Sequence, residues 1–293
     1  MILDFDVLIV GAGMAGMTAA IYLKRANINV AIIEKTAPGG QINQTNNIEN
    51  YPGFNKIDGP TLAFNVFNQI QSLGVSYKYG NVLSIKSYED YKIVTTDKGE
   101  YKCRGVIIAT GRKPKELGLE NEKNLINNGI SWCALCDAPL YKERDVMVVG
   151  NSKYSIEEAL MLSDICSSVT LVYEGKIDEK LKENIVLKEK GKIVKLNSRE
   201  NKLESVDVET NGTVENIKTS GLFIIMGNSP ASEMLNGLSI NVNDGYVVVD
   251  ENMRTNIKGI YACGDIIKKE VYQVSTAVGE GAKAAMSYIK DFN

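Results

Sequence analysis

Residues 6–16 read Asp-Val-Leu-Ile-Val-Gly-Ala-Gly-Met-Ala-Gly, an apolar run that enters a glycine-rich turn and leaves it on a helix-forming stretch, residues 14–25. A second apolar strand, residues 29–34, ends at Glu34 and completes a strand–helix–strand unit. Such a crossover joins parallel strands, so this stretch specifies an α/β fold with a doubly wound sheet. Each glycine has its own task. Gly11 permits the tight turn, Gly13 lets the backbone approach a pyrophosphate, and Gly16 allows the helix to pack close. The N–H groups at the helix start favour phosphate, and Glu34 can accept hydrogen bonds from ribose hydroxyls. Strand, loop, helix and acid in this order predict a dinucleotide site, although the loop alone does not separate NAD from FAD.

The same pattern restarts after residue 145. Residues 146–149 form an apolar strand, residues 156–163 a helix, and residues 169–173 a further strand, an internal repeat of the first unit. Between strand and helix, residues 150–155 read Gly-Asn-Ser-Lys-Tyr-Ser, and only the first glycine of the phosphate loop is present. The expected architecture is two Rossmann-like domains. Residues 1–113 and 231–293 make a discontinuous first domain, and residues 114–230 make an inserted, degenerate one. Other expected elements are a helix at 60–73, a hairpin at 91–101 and a short strand at 106–109. A charged helix at 176–192, short strands up to 225, strands at 246–249 and 260–263, and a final helix at 276–290 follow.

With 293 residues, 44% apolar composition and a net charge of −3, the chain is long enough for two domains and has no basic excess that would argue for nucleic acid. Its apolar runs are too short to span a bilayer, and no secretory leader precedes the first strand, so a cytoplasmic protein is expected. There is no histidine. That excludes Ser-His-Asp hydrolysis, a His-activated cysteine and His-containing metal sites, and no metal is expected. Of five cysteines, Cys103, Cys166 and Cys263 are scattered, whereas Cys133 and Cys136 form a C-x-x-C pair in Ser-Trp-Cys-Ala-Leu-Cys-Asp-Ala-Pro, residues 131–139.

Two thiols at that spacing can close a small disulfide, and a thiolate of lowered pKa is the attacking species in exchange. A structural zinc site would need two further ligands that the sequence does not supply, and an inert buried pair is the other alternative. Redox use is the best reading. Asp137, next to Cys136, is either a cap or turn residue or a proton shuttle for a thiolate or flavin. Trp132, the single tryptophan, is a packing neighbour of the dithiol or a contact for a protein partner.

Further segments carry a resemblance: Gly39-Gly40-Gln41, Glu49-Asn50-Tyr51-Pro52-Gly53, Ala109-Thr110-Gly111, Phe-Ile-Ile-Met-Gly-Asn-Ser-Pro at residues 223–230, and Gly264-Asp265. Together with the first loop and the dithiol, this ordered set resembles the low-molecular-weight thioredoxin reductases over nearly the whole chain. The resemblance implies FAD as cofactor. It implies FAD contacts from Gly11, Gly13, Ala15, Gly16, Glu34, Lys35, Gly40, Gln41 and Asn50. Ala109, Thr110, Gly111, Gly264, Asp265, Gln273 and Val274 complete that set, with Asp265 on the ribityl chain. It also implies that Cys136 faces the flavin, that Cys133 attacks the disulfide of thioredoxin, and that the protein is a homodimer whose second domain rotates.

Two departures bear on the electron donor. Ser152 stands where a glycine would let a pyrophosphate approach, followed by the bulkier Lys153, Tyr154 and Ser155. After the strand at 169–172, where the family places a His-Arg-Arg cluster for the NADPH 2′-phosphate, this chain has Tyr173-Glu174-Gly175, and Glu174 would repel that group. The pattern is similar to that of ferredoxin-dependent flavin thioredoxin reductases, which implies ferredoxin as donor. Two electrons passing from a ferredoxin near about −400 mV to thioredoxin near about −270 mV release about 6 kcal/mol. The alternatives are an NADH- or NADPH-dependent disulfide reductase with an atypical nucleotide site, and a non-enzymatic flavin and dithiol redox sensor. An acidic ferredoxin would call for a basic dock, for which Arg112, Lys113 and Lys115, or Lys268 and Lys269, are candidates; a solvated surface explains them equally well.

Overall fold

The computed structural model describes residues 2–45, 47–178 and 180–292, with the side chains of Leu135 and Cys136 outside that description. The chain divides into two units, Met1–Lys113 with Pro230–Asn293, and Pro114–Ser229. Relative to the sequence reading, Pro230 moves into the first unit.

In the first unit, strand Phe5–Val10 lies parallel to Val30–Glu34 on one side and to Gly99–Ile108 on the other. Val7, Leu8 and Ile9 are fully buried, as a strand covered on both faces requires. Each such side chain contributes about 1.5–3 kcal/mol of hydrophobic stabilisation. Strand Ser76–Tyr79 extends the parallel side, and Lys92–Thr96 and Val82–Ser87 add an antiparallel edge. The expected short strand at 106–109 is instead the end of the ten-residue strand Gly99–Ile108. One end of this strand pairs as a hairpin with Lys92–Thr96, while Val106–Ile108 pairs with both Phe5–Val10 and Ile260–Ala262. Helix Met14–Arg25 packs against the final helix, Val274–Phe292, at backbone distance: a Cβ on Gly281 would lie 2.2 Å from the Ala15 carbonyl oxygen.

The second unit holds an all-parallel sheet in the order Ile185–Glu189, Ser168–Tyr173, Asp145–Gly150, Gly221–Ile225, Ile130–Ser131. A three-stranded antiparallel sheet, Lys192–Arg199, Lys202–Thr210 and Thr213–Lys218, accompanies it. The charged helix expected at 176–192 is absent from the described residues of that stretch. Ile185, Val186 and Leu187 instead take up parallel pairing with Val169, Thr170 and Leu171. The β-branched and apolar triplet outweighs the helix-forming lysines and glutamates around it because it completes a sheet edge. Among the described residues, no helix is long and apolar enough to cross a membrane.

Candidate functional site

The first loop is built so that only glycine fits at two of its positions. Gly11 has φ +104°, and a Cβ there would stand 2.4 Å from the Ala109 carbonyl oxygen; one on Gly16 would stand 2.0 Å from the Gly11 carbonyl oxygen. Gly13 differs. It precedes helix Met14–Arg25 without any side-chain cap, and a Cβ there would meet nothing within 4 Å. The helix start therefore presents backbone, not side chain, toward open space. Glu34 is turned into the loop, its Oε2 accepting from the Ala12 N–H at 2.8 Å and its Oε1 from the Thr36 N–H and hydroxyl at 2.9 Å. Lys35 is exposed beside it.

The other residues expected to hold FAD lie in the first unit, and Gly40, Ala109 and Gly264 adjoin this loop and the start of its helix. A Cβ on Gly40 would come 3.6 Å from Gly13 Cα, so these two glycines face each other. Gln41 donates from Nε2 to the Arg112 carbonyl at 3.0 Å. Ala109 continues the central sheet through its N–H to Val10, Thr110 donates to the Ala231 carbonyl at 2.7 Å, and Gly111 has φ +66° with open space where a Cβ would be. Gly264 donates its N–H to Glu280 Oε2 at 2.9 Å, and Asp265 lies 3.3 Å from Arg112 Nη2 and 3.5 Å from Lys269 Nζ. Asn50 donates to Gln273 Oε1 at 3.0 Å, and Val274 opens the final helix.

This set fits a flavin dinucleotide. Gly13 and Gly111 leave room where a side chain would obstruct it, the uncapped helix start suits a pyrophosphate, and Glu34 and Asp265 offer acceptors for hydroxyl groups. Arg112 Nε, moreover, is buried with no hydrogen-bond partner among the described residues.

The dithiol lies in the second unit, directly after strand Ile130–Ser131, at the start of the short helix Ala134–Asp137. Ala134 and Ala138 are buried with Ile156, Ala159 and Leu162 of helix Lys153–Ser163, so apolar packing seats the segment. Cys133 is disulfide-bonded. The side chain of Cys136 lies outside the described residues, although its backbone is part of the short helix. Ser131 links the segment internally. Its hydroxyl donates to Asp137 Oδ2 at 2.6 Å and accepts from the Cys133 N–H at 3.1 Å. Asp137 makes no cap for the following turn, Ala138–Tyr141, so its carboxylate is oriented by Ser131 instead. Trp132 donates from Nε1 to the Lys115 carbonyl at 3.2 Å and packs on the apolar core of this unit. Cys103, Cys166 and Cys263 are buried free thiols, and burial pushes each pKa up, that of Cys103 to about 12.

The second loop closes on itself. Helix Lys153–Ser163 begins three residues earlier than the sequence suggests, with Ser152 at its cap position. The Ser155 hydroxyl donates to the Ser152 carbonyl at 2.6 Å and accepts from the Ser152 N–H at 3.4 Å. Ser155 is fully buried against Gly150, where an added Cβ would come 2.1 Å from Ser155 Cβ. Glu174 follows the next strand and accepts from Asn151 Nδ2 at 3.3 Å.

Sequence reasoning passes over Ser131, Glu280 and the inward role of Arg112. Serine and glutamate carry no motif at those positions, and the only signal at Arg112 is its place directly after Ala109-Thr110-Gly111. The basic groups considered as a dock are largely neutralised: Arg112 pairs with Asp265, Lys113 with Glu233, Lys268 with Asp244, and Lys269 with Glu280. Lys115 is exposed.

The chain matches the pyridine nucleotide-disulphide oxidoreductase family over residues 5–281. It is 38% identical to the thioredoxin reductase of Bacillus subtilis, over 97% of this chain and 93% of that one. Its structure is similar to that of Lactococcus lactis thioredoxin reductase, with a TM-score of 0.83, 35% identity and 98% coverage of both chains. A ferredoxin-flavin thioredoxin reductase from Clostridium acetobutylicum is also similar, with a TM-score of 0.56 and 29% identity over 98% of this chain and 97% of that one. On these likenesses the chain belongs to the pyridine nucleotide-disulphide oxidoreductase family, within its FAD-binding thioredoxin reductase group.

Proposed function

We propose that the protein reduces thioredoxin through Cys133 and Cys136 with electrons delivered one at a time by reduced ferredoxin. The observation that carries the choice of donor is the self-closed second loop. Ser152 puts a side chain where a pyrophosphate must approach, and its N–H is already bonded to Ser155. Glu174 adds a carboxylate where the 2′-phosphate of NADPH would sit. The Clostridium acetobutylicum neighbour is consistent with a ferredoxin donor on this fold.

Bound FAD supplies a store that accepts single electrons and passes on a pair. Gly13 and the start of helix Met14–Arg25 would hold its pyrophosphate, Glu34 its ribose and Asp265 its ribityl chain. Cys136 is the thiol assigned to electron exchange with the flavin, and Cys133, as a thiolate, attacks one sulfur of the thioredoxin disulfide while the other sulfur leaves as a thiolate. Cys136 then attacks Cys133, which restores the internal disulfide and frees the second thioredoxin sulfur, so two electrons leave the protein. Asp137, oriented by Ser131, carries the proton that a departing thiolate needs.

One observation favours a second reading. Glu174 directly follows the second strand of its strand–helix–strand repeat, much as Glu34 ends the corresponding strand of the first, and an acid there suits the unphosphorylated ribose of NADH. An anaerobic titration separates the two. The flavin band should persist with excess NADPH or NADH and bleach with reduced ferredoxin, and thioredoxin should then be reduced over many turnovers. Prompt bleaching by NADH would establish the second reading and remove the first. Cys136→Ser should retain FAD and lose thioredoxin reduction.

A further inference from the structure

Among the described residues, Arg112 alone has a buried side-chain nitrogen, Nε, with no hydrogen-bond partner in the protein. The rest of its guanidinium is fixed on three sides: Nη2 lies 3.3 Å from Asp265 Oδ2, the guanidinium carbon lies 4.1 Å from the centre of the Tyr272 ring, and the Tyr246 hydroxyl is a further hydrogen-bonding neighbour of the side chain. An arginine cannot shed its proton to relieve such burial, so the unbonded N–H carries a standing cost unless a ligand accepts it. The neighbours name the ligand. Gln41 donates to the Arg112 carbonyl, Gly111 precedes it, Asp265 pairs with it, and Tyr272 adjoins Gln273; all four of Gln41, Gly111, Asp265 and Gln273 belong to the flavin set.

We propose that Arg112 is itself a ligand of FAD, donating its Nε–H to an acceptor atom of the cofactor and holding a fixed positive charge beside the flavin ring. The inference rests on the assignment of FAD to the first unit and is independent of the electron donor. Asp265 and Tyr272 act as a clamp, one by charge and one by stacking, that keeps the guanidinium from swinging out to water. The local charge balance makes Arg112 matter. Arg112 and Lys269 offset Asp265 and Glu280, so removing the arginine leaves a net negative site for an anionic cofactor. Electrons added to the flavin increase its negative charge, and a fixed cation beside it favours the reduced form.

The test compares Arg112→Gln and Arg112→Lys with the parent protein. Apoprotein is titrated with FAD by quenching of flavin fluorescence, and the midpoint potential of the bound flavin is measured by dithionite titration against indicator dyes. Neither measurement needs ferredoxin, NADPH or thioredoxin, so a failure here is distinct from a failure of the donor assignment. Arg112→Gln should bind FAD at least about tenfold more weakly and show a more negative midpoint potential. Arg112→Lys should recover the potential better than the affinity, because an ammonium keeps the charge and loses the planar fork. Parent affinity in Arg112→Gln overturns the assignment. So does a loss of affinity accompanied by earlier thermal unfolding of the variant apoprotein, which marks Arg112 as scaffold. An unchanged midpoint potential overturns the placement of its charge beside the ring.

Discussion

Each unit of this chain carries a strand-to-helix loop, and the two loops manage the same exposed helix start in opposite ways. At Gly13 the helix start has no side-chain cap and faces open space; at Ser152 the corresponding N–H is taken by the Ser155 hydroxyl. The first loop therefore depends on a ligand to satisfy its donors, and the second satisfies one within the chain. A Rossmann-like fold and the chemistry of its loop are thus separable properties. The strands, their parallel pairing and the crossover helix persist in both units, while the loop chemistry does not.

Substitutions at matched positions put this contrast to the test. The largest effect is expected for Gly13→Val. The new Cβ has no protein atom within 4 Å, so the apoprotein should melt like the parent, yet FAD affinity should fall by at least about a hundredfold because the backbone approach is blocked. Flavin content on purification and apoprotein melting report the two halves; retained yellow protein would show that the first loop does not hold the pyrophosphate. The opposite outcome is expected for Gly150→Ala. Its Cβ would be forced into Ser155 and the Ile225 carbonyl, destabilising the second unit by about 1–3 kcal/mol in denaturant titration while FAD remains bound.

A smaller effect tests the helix that backs the first loop. Near the end of helix Val274–Phe292, Asp291 accepts two hydrogen bonds from Arg254, at 2.7 and 2.8 Å, and one from the Tyr261 hydroxyl. The Arg254 bonds hold the Asp291 carboxyl below its ordinary value of 3.8. A depressed folded pKa means the stabilisation is fully present above that ordinary value and is lost as pH falls through the lower folded one. Asp291→Asn should cost about 1 kcal/mol at neutral pH, allowing for partial solvent exposure, and the gap from the parent should narrow below about pH 4 in chemical denaturation. A gap that stays constant down to about pH 2 would show that the carboxylate charge contributes nothing.

Much of the first unit is legible in the sequence because its glycines act locally. Gly11 and Gly16 are demanded by contacts within the strand–turn–helix itself and with Ala109 beside it, and helix Met14–Arg25 follows from its own periodicity. The strand Ile185–Glu189 is not legible in this way. Its local composition favours a helix, and only the neighbouring strand Ser168–Tyr173, brought alongside by the crossover, decides otherwise. The site divides along the same line. Motifs mark Glu34, Asp265 and the dithiol, whereas Arg112, Ser131 and Glu280 work through partners distant in sequence or through a single hydroxyl that no pattern announces.

The seat of the dithiol bears on how such a protein can change. Ala134 and Ala138 are held by Ile156, Ala159 and Leu162, buried residues that follow the loop at 150–155 in sequence. Mutational drift in the loop and the upkeep of the dithiol thus fall on separate positions. A lineage could exchange one electron source for another by altering a few loop residues, without passing through a form that misplaces the cysteines.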